Sequence, residues 1–165
     1  EHLLRVWATC YGMHTVALRY FNVFGPRQAD DSPYTGVIAI FARALLEGRA
    51  PTIYGDGGQT RDFTYIDNVV AANLAAMDRD VESGSVFNVG AGERISLLEL
   101  FRAMAELLGV QVEPKFGPDR AGDVRHSLAS LDRARRALGY TPRVPWREGL
   151  ERTLAWYRSE YQAAR

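Results

Sequence analysis

The chain has 165 residues, 47% of them hydrophobic and 24% charged, and its twenty basic side chains balance twenty acidic ones. That length and apolar content suit one folded domain and exclude a disordered chain. The even charge argues against a general nucleic-acid binder, no apolar run approaches the ~20 residues of a membrane span, and no basic-then-apolar leader opens the sequence.

Helical and strand periods alternate along the chain, which predicts an α/β fold. Residues 2–11 place Leu3, Trp7, Cys10 and Tyr11 on one helical face, with Gly12 as a stop. Cys10, the one cysteine, reads there as a small core residue, and no internal disulfide can form. Residues 15–20 form a buried strand pattern, and a loop rich in Pro, Gly, Asp and Ser follows over 22–33. A second helix spans 37–46 and stops near Gly48, and a short strand at 51–54 enters the turn Gly55-Asp56-Gly57-Gly58.

Residues 63–66 are strand-like, and Asp67 is placed to cap a helix over 68–77. A strand at 85–89 runs into Gly90-Ala91-Gly92, and Ser96 with Glu99 forms a capping box for a helix ending at Gly109. Residues 112–116 have strand character, Ser130 is a candidate cap for a helix over 131–138, and a last amphipathic helix starts near Pro145, with Leu150, Leu154, Tyr157 and Tyr161 on one side.

Several segments carry chemistry, each with a plainer alternative beside it. Gly90-Ala91-Gly92 stands between a strand and a helix, but position 95 is Ile where a dinucleotide-binding turn needs a third glycine. It therefore reads as an ordinary connection. Three glycines at 55, 57 and 58 let the backbone approach a ligand, and Arg61 follows with a planar fork suited to phosphate. A flexible hairpin with a surface arginine is the competing reading. In Arg120-Ala121-Gly122-Asp123 the two charged side chains could bind a phosphate and a hydroxyl or pair with each other. Asn22 ends a strand, where open α/β sheets place ligands, although an asparagine capping a turn fits equally. Arg133, Arg135 and Arg136 read as a solvated helix face. The histidines His2, His14 and His126 lie far apart, which argues against a metal site.

Taken together, these segments resemble the C-terminal half of the NAD-dependent nucleotide-sugar epimerases and dehydratases, the extended short-chain dehydrogenases. The matching stretches are Leu18-Arg19-Tyr20-Phe21-Asn22-Val23-Phe24-Gly25-Pro26-Arg27-Gln28, Ser32-Pro33-Tyr34-Thr35-Gly36-Val37-Ile38, and Ile53 through Phe63. They continue with Phe87-Asn88-Val89-Gly90-Ala91-Gly92, Arg120-Ala121-Gly122-Asp123 and Leu138-Gly139-Tyr140-Thr141-Pro142. The first and third stretches most resemble bacterial UDP-hexose 4-epimerases, with related dehydratases and decarboxylases sharing much of the pattern.

The resemblance implies a substrate-binding subdomain joined to the last helix and strands of an incomplete Rossmann sheet. It also implies that residues 1–165 are the nucleotide-sugar-binding part, without the N-terminal NAD-binding region. In the family a Gly-x-x-Gly-x-x-Gly turn holds NAD, and a Tyr-x-x-x-Lys pair takes the proton while hydride passes to the nicotinamide. The single lysine here, Lys115, follows Gln111 by four residues, so no such pair exists in this sequence. Family sequences would put Glu1 a few residues beyond the missing lysine, on the same helix.

By resemblance, Asn22 contacts the sugar or its phosphate, Gly36 and Val37 line the nucleotide, and Thr52 and Tyr54 face the base. Arg61 and Arg120 clamp the diphosphate, and Asp123 accepts from a ribose hydroxyl. Tyr20 and Val23 would flank the nicotinamide only if an NAD-binding half is supplied. The implied ligand is a UDP-sugar or dTDP-sugar, with no NAD held by this chain alone, no metal and no catalytic residue, and the implied location is the cytoplasm. The alternative is a non-catalytic sugar-nucleotide-binding module or subunit that pairs with a separate Rossmann half. The first helix belongs, in the family, to a dimer interface, so a homo-oligomer is expected. The strands at 15–20 and 85–89 would lack a neighbour or a covering layer.

Overall fold

The computed structural model describes residues 1–29 and 35–163 and is α/β. The stretch Ser32-Pro33-Tyr34 and the end of the 22–33 loop lie outside the described residues. The first helix, α1, spans His2–Tyr11 and ends on Gly12 at φ 64°, a left-handed turn that glycine enters without penalty. None of its residues is buried. Cys10 is exposed, which corrects the core reading: the helix is amphipathic, but no described element covers its apolar face.

Strand β1 (Val16–Tyr20) pairs in parallel with β6 (Ser85–Val89), residue for residue from Val16–Ser85 to Tyr20–Val89. Three further pairs are short. β2 (Val23–Phe24) runs parallel to β5 (Thr64–Tyr65), and β3 (Thr52–Tyr54) runs parallel to β8 (Lys115–Gly117). β4 (Thr60–Arg61) runs antiparallel to β7 (Ile95–Ser96). Parallel partners so far apart in sequence require crossovers, and the helices supply them.

Helix α2 (Val37–Leu46) packs against α4 (Leu97–Leu108) and α6 (Trp146–Ala163). Their shared core holds Phe41, Leu45, Ile53, Leu100, Met104 and Leu150, all essentially inaccessible. Phe41 and Phe101 meet edge to face at 6.2 Å. A second core lies between the β1–β6 pair and helices α3 (Ile66–Asp78) and α5 (Asp132–Leu138), built on Val69, Ala72, Phe87, Val89, Leu131 and Leu138.

Two buried contacts fix how the last helix seats. Asn68 accepts from the Arg143 and Val144 N–H groups at 2.8 and 3.0 Å and donates to the Val144 carbonyl at 2.8 Å. Gly149 faces the Tyr65 ring so closely that a Cβ there would sit 2.6 Å from the ring carbons, so α6 approaches β5 only because this residue has no side chain.

Caps depart from expectation at two points. Ser96 does cap α4, accepting from the Glu99 N–H at 3.1 Å. Asp67 does not cap α3: β5 runs straight into the helix with Tyr65 at the cap, and Asp67 sits in the first turn, where the helix dipole favours a carboxylate, paired with Arg152 at 3.3 Å. Likewise Leu131, not Ser130, precedes α5, and the Ser130 carbonyl accepts from Asn88 at 3.3 Å.

Candidate functional site

The turn after β3 and the segment 118–127 form one side of a cleft. Gly55 and Gly57 both take φ 75°, which folds the chain back so that β4 can begin at Thr60. The later segment is zipped to β4: the Thr60 N–H donates to the Arg125 carbonyl at 2.9 Å, and the Ser127 N–H donates to the Thr60 carbonyl at 3.1 Å. Arg125 forks onto Asp56 with two bonds of 2.7 Å. Together with the Gly58 N–H, that guanidinium holds the exposed Asp56 carboxyl well below the usual carboxylate range.

The cleft has a volume of about 260 Å³ and is lined by Tyr54, Gln59, Asp119, Arg120, Asp123 and Arg125. Arg61 reaches its edge by an ion pair to Asp123, while its other nitrogen donates to the Thr60 carbonyl at 2.9 Å. Arg120 and Asp123 form no ion pair with each other, although the Asp123 N–H donates to the Arg120 carbonyl at 3.1 Å. The Arg120 guanidinium instead lies 6.0 Å from the centre of the Tyr54 ring, and it makes no ion pair with a described residue. Gln59, not singled out from sequence, is buried. It donates to the Tyr54 carbonyl at 2.6 Å and leaves its Oε1 without a partner among the described residues.

The other expected residues gather elsewhere. Asn22, Val23, Gly36 and Val37 line a second, small cavity of about 40 Å³ beside Gln28 and Phe63. There the Asn22 carbonyl accepts from the Thr64 N–H at 3.0 Å, and Gly36 opens α2 against the Gln28 amide. Thr52 is exposed on β3, two residues before Tyr54. Tyr20 is half exposed and donates to Asn73 at 2.9 Å.

The residue that joins these parts is Asp62, fully buried between Arg61 and Phe63. Its carboxylate accepts from the Ala91 N–H at 2.7 Å, the Gly92 N–H at 3.0 Å and the Ala129 N–H at 3.1 Å. Gly90 permits that approach, since a Cβ there would come within 2.6 Å of Asp62 and 2.5 Å of Ala129. The Gly90-Ala91-Gly92 turn is thus an anion cradle already filled by the chain's own carboxylate. Its amides do not fit the pyrophosphate of a dinucleotide. A charge set beside an apolar run, with a Gly-Ala-Gly turn elsewhere to receive it, was the available sequence signal.

Tyr140 closes this region, donating to the Gly90 carbonyl at 2.8 Å. Burial first, and the Asp62 charge second, push its phenol up to about 12. The unfolded chain loses this proton near pH ~10, so the folded state binds more protons between the two values, and stability falls as pH rises through that window. Urea midpoints measured from pH 9 to 12 are expected to decline more steeply for the wild type than for Tyr140→Phe. Parallel declines would contradict this.

No group of histidine, cysteine and acidic residues among the described residues could hold a metal ion, and no helix among them is long and apolar enough to cross a membrane.

Comparison with known proteins bears on this arrangement. The chain is 40% identical to a UDP-glucose 4-epimerase of Mycolicibacterium smegmatis over 98% of its length and 51% of that protein. It is 35% identical to a dTDP-L-rhamnose 4-epimerase of Burkholderia thailandensis over 97% of its length and 44% of that protein. Its fold matches the crystal structure of UDP-glucose 4-epimerase with UDP-glucose from Thermotoga maritima with a TM-score of 0.92 and 39% identity, covering 97% of this chain and 51% of that one. It also matches the UDP-glucuronic acid 4-epimerase from Bacillus cereus in complex with UDP-glucuronic acid and NAD, with a TM-score of 0.88, 32% identity, and coverage of 97% and 50%. The chain spans about half the length of the curated relatives it matches, so its α/β architecture corresponds to part of an epimerase fold. Residues 1–90 match the family described as NAD dependent epimerase/dehydratase, and the chain belongs to that family.

Proposed function

We propose that this chain is the nucleotide-sugar-binding part of an NAD-dependent nucleotide-sugar 4-epimerase, with a UDP-hexose as its ligand. The observation that carries the reading is the meeting of Arg61 with Asp123, 62 positions apart, at a cleft that also holds Arg120 and Tyr54. Arg61 and Arg120 take the diphosphate through charge-assisted bonds, Asp123 takes a ribose hydroxyl, and Thr52 and Tyr54 face the base. Asn22, Gly36 and Val37 bound the sugar side. The UDP-glucose named with the Thermotoga maritima structure supports that choice of ligand.

The same reading makes the isolated chain catalytically silent. Its sequence contains no Tyr-x-x-x-Lys pair to take the sugar proton, and the Ala91 and Gly92 amides are committed to Asp62. NAD supplies the hydride acceptor in this family, and on this chain Tyr20 and Val23 would meet it only at an interface with a Rossmann half. Incubating the purified chain with NAD and UDP-galactose is expected to yield no UDP-glucose above a blank. Product forming in proportion to the protein added would overturn this part of the proposal.

A second reading, a subunit that pairs with a separate Rossmann half or with its own copy, is favoured by one face of the molecule. Leu3, Trp7 and Tyr11 stand exposed on α1, and a cleft of about 480 Å³ lined by Glu1, Arg5, Arg19, Asn88 and Arg133 lies open beside the β1–β6 pair. Apolar surface of this kind, next to a strand without an outer neighbour among the described residues, is what a partner covers.

A further inference from the structure

The diphosphate cleft is balanced in charge. Arg61, Arg120 and Arg125 stand beside Asp56, Asp119 and Asp123, and two of the guanidinium groups are already neutralised, Arg125 by Asp56 and Arg61 by Asp123. The Arg61 pair is unlike the other. Its arginine side chain is 15% exposed and anchored to the Thr60 carbonyl, whereas Asp123 is 37% exposed on the connecting segment. Of the two partners, Asp123 is the one free to swing.

An anion that approaches the Arg61 Nη2 held by Asp123 therefore competes with that carboxylate. A bare phosphate or pyrophosphate offers the displaced carboxylate no donor and adds like charge beside it, which costs free energy. A nucleoside diphosphate brings hydroxyl groups that donate to the same carboxylate, so the bond given up by Arg61 is replaced. We propose that Asp123 is a specificity-determining residue: it occupies Arg61 until a ligand supplies hydroxyl donors, and so favours nucleoside diphosphates over pyrophosphate. This rests on the reading of Arg61 and Arg120 as a diphosphate clamp.

The test is calorimetric titration of pyrophosphate and of UDP into the wild-type chain, Asp123→Asn and Asp56→Asn. In Asp123→Asn pyrophosphate is expected to bind about tenfold tighter, the scale of one charge-assisted bond at a partly exposed site. UDP is expected to gain nothing, so the ratio of UDP to pyrophosphate affinity falls about tenfold with it. Asp56→Asn removes the same charge without releasing Arg61, and is expected to leave that ratio within about twofold of wild type. An unchanged ratio in Asp123→Asn, or an equal change in Asp56→Asn, overturns the inference. If UDP binds the wild type and Arg61→Ala weakens it while the ratio stays fixed, the inference alone falls. If UDP gives no heat with the wild type, the clamp reading falls and takes the inference with it.

Discussion

Replacing Asp62 by alanine is expected to destabilise the chain by on the order of 4 kcal/mol, because two buried N–H donors and a partly buried third lose their acceptor together. Each stranded donor costs about 1–3 kcal/mol when no water replaces the carboxylate, against about 5–15 kcal/mol for the whole fold of a typical domain. The loss is shared among regions far apart in sequence: Ala91 and Gly92 follow β6, and Ala129 precedes α5. Their common anchor also sets the position of Arg61 beside it, so the cleft is expected to loosen as the fold weakens. Thermal melts by circular dichroism should show a drop of roughly 10 °C or more. Asp62→Asn should fall between, since one amide oxygen still accepts while the NH₂ group opposes the remaining donors. A change below about 1 kcal/mol in Asp62→Ala would mean that water serves these amides as well as the carboxylate does.

Asp62 also marks the boundary of what the sequence makes legible. Helices are readable where an apolar period meets a stop: residues 37–46 match α2 and residues 2–11 match α1, both in full. The two-residue strands β4 and β7 were not readable, because neither has a period of its own and each exists through a partner more than thirty residues away. Cys10 is exposed rather than in the core for a related reason. An amphipathic pattern specifies an apolar face and leaves open whether that face meets the chain's own core.

The site divides in the same way. Arg61 and Arg120 stood out by their glycine neighbours, whereas the Arg61–Asp123 pair follows from how segment 118–127 is stitched to β4. Gln59 gave no signal, since a glutamine beside a turn is ordinary until its burial is known. The expected residues also fall around two cavities, with Asn22, Gly36 and Val37 apart from Tyr54, Arg120 and Asp123.

The larger binding effect is expected at Arg61. Its side chain is mostly buried and its fork is held by the Thr60 carbonyl, so it meets a phosphate with little loss of rotamer freedom. Arg61→Ala is expected to weaken UDP binding by about 30-fold, equivalent to about 2 kcal/mol. Arg120 is exposed and rests on the Tyr54 ring, and Arg120→Ala is expected to cost about 5-fold. Both variants should keep the wild-type melting temperature within a few degrees, which separates lost binding from lost folding.

The most direct measurement is calorimetric titration of UDP-glucose into the purified 165-residue chain and into the Arg61→Ala/Arg120→Ala double variant. A nucleotide-sugar site predicts saturable one-to-one heat with the wild type and none with the folded double variant over the same concentrations. Absence of heat with the wild type at millimolar ligand, or equal affinity in the double variant, would contradict it.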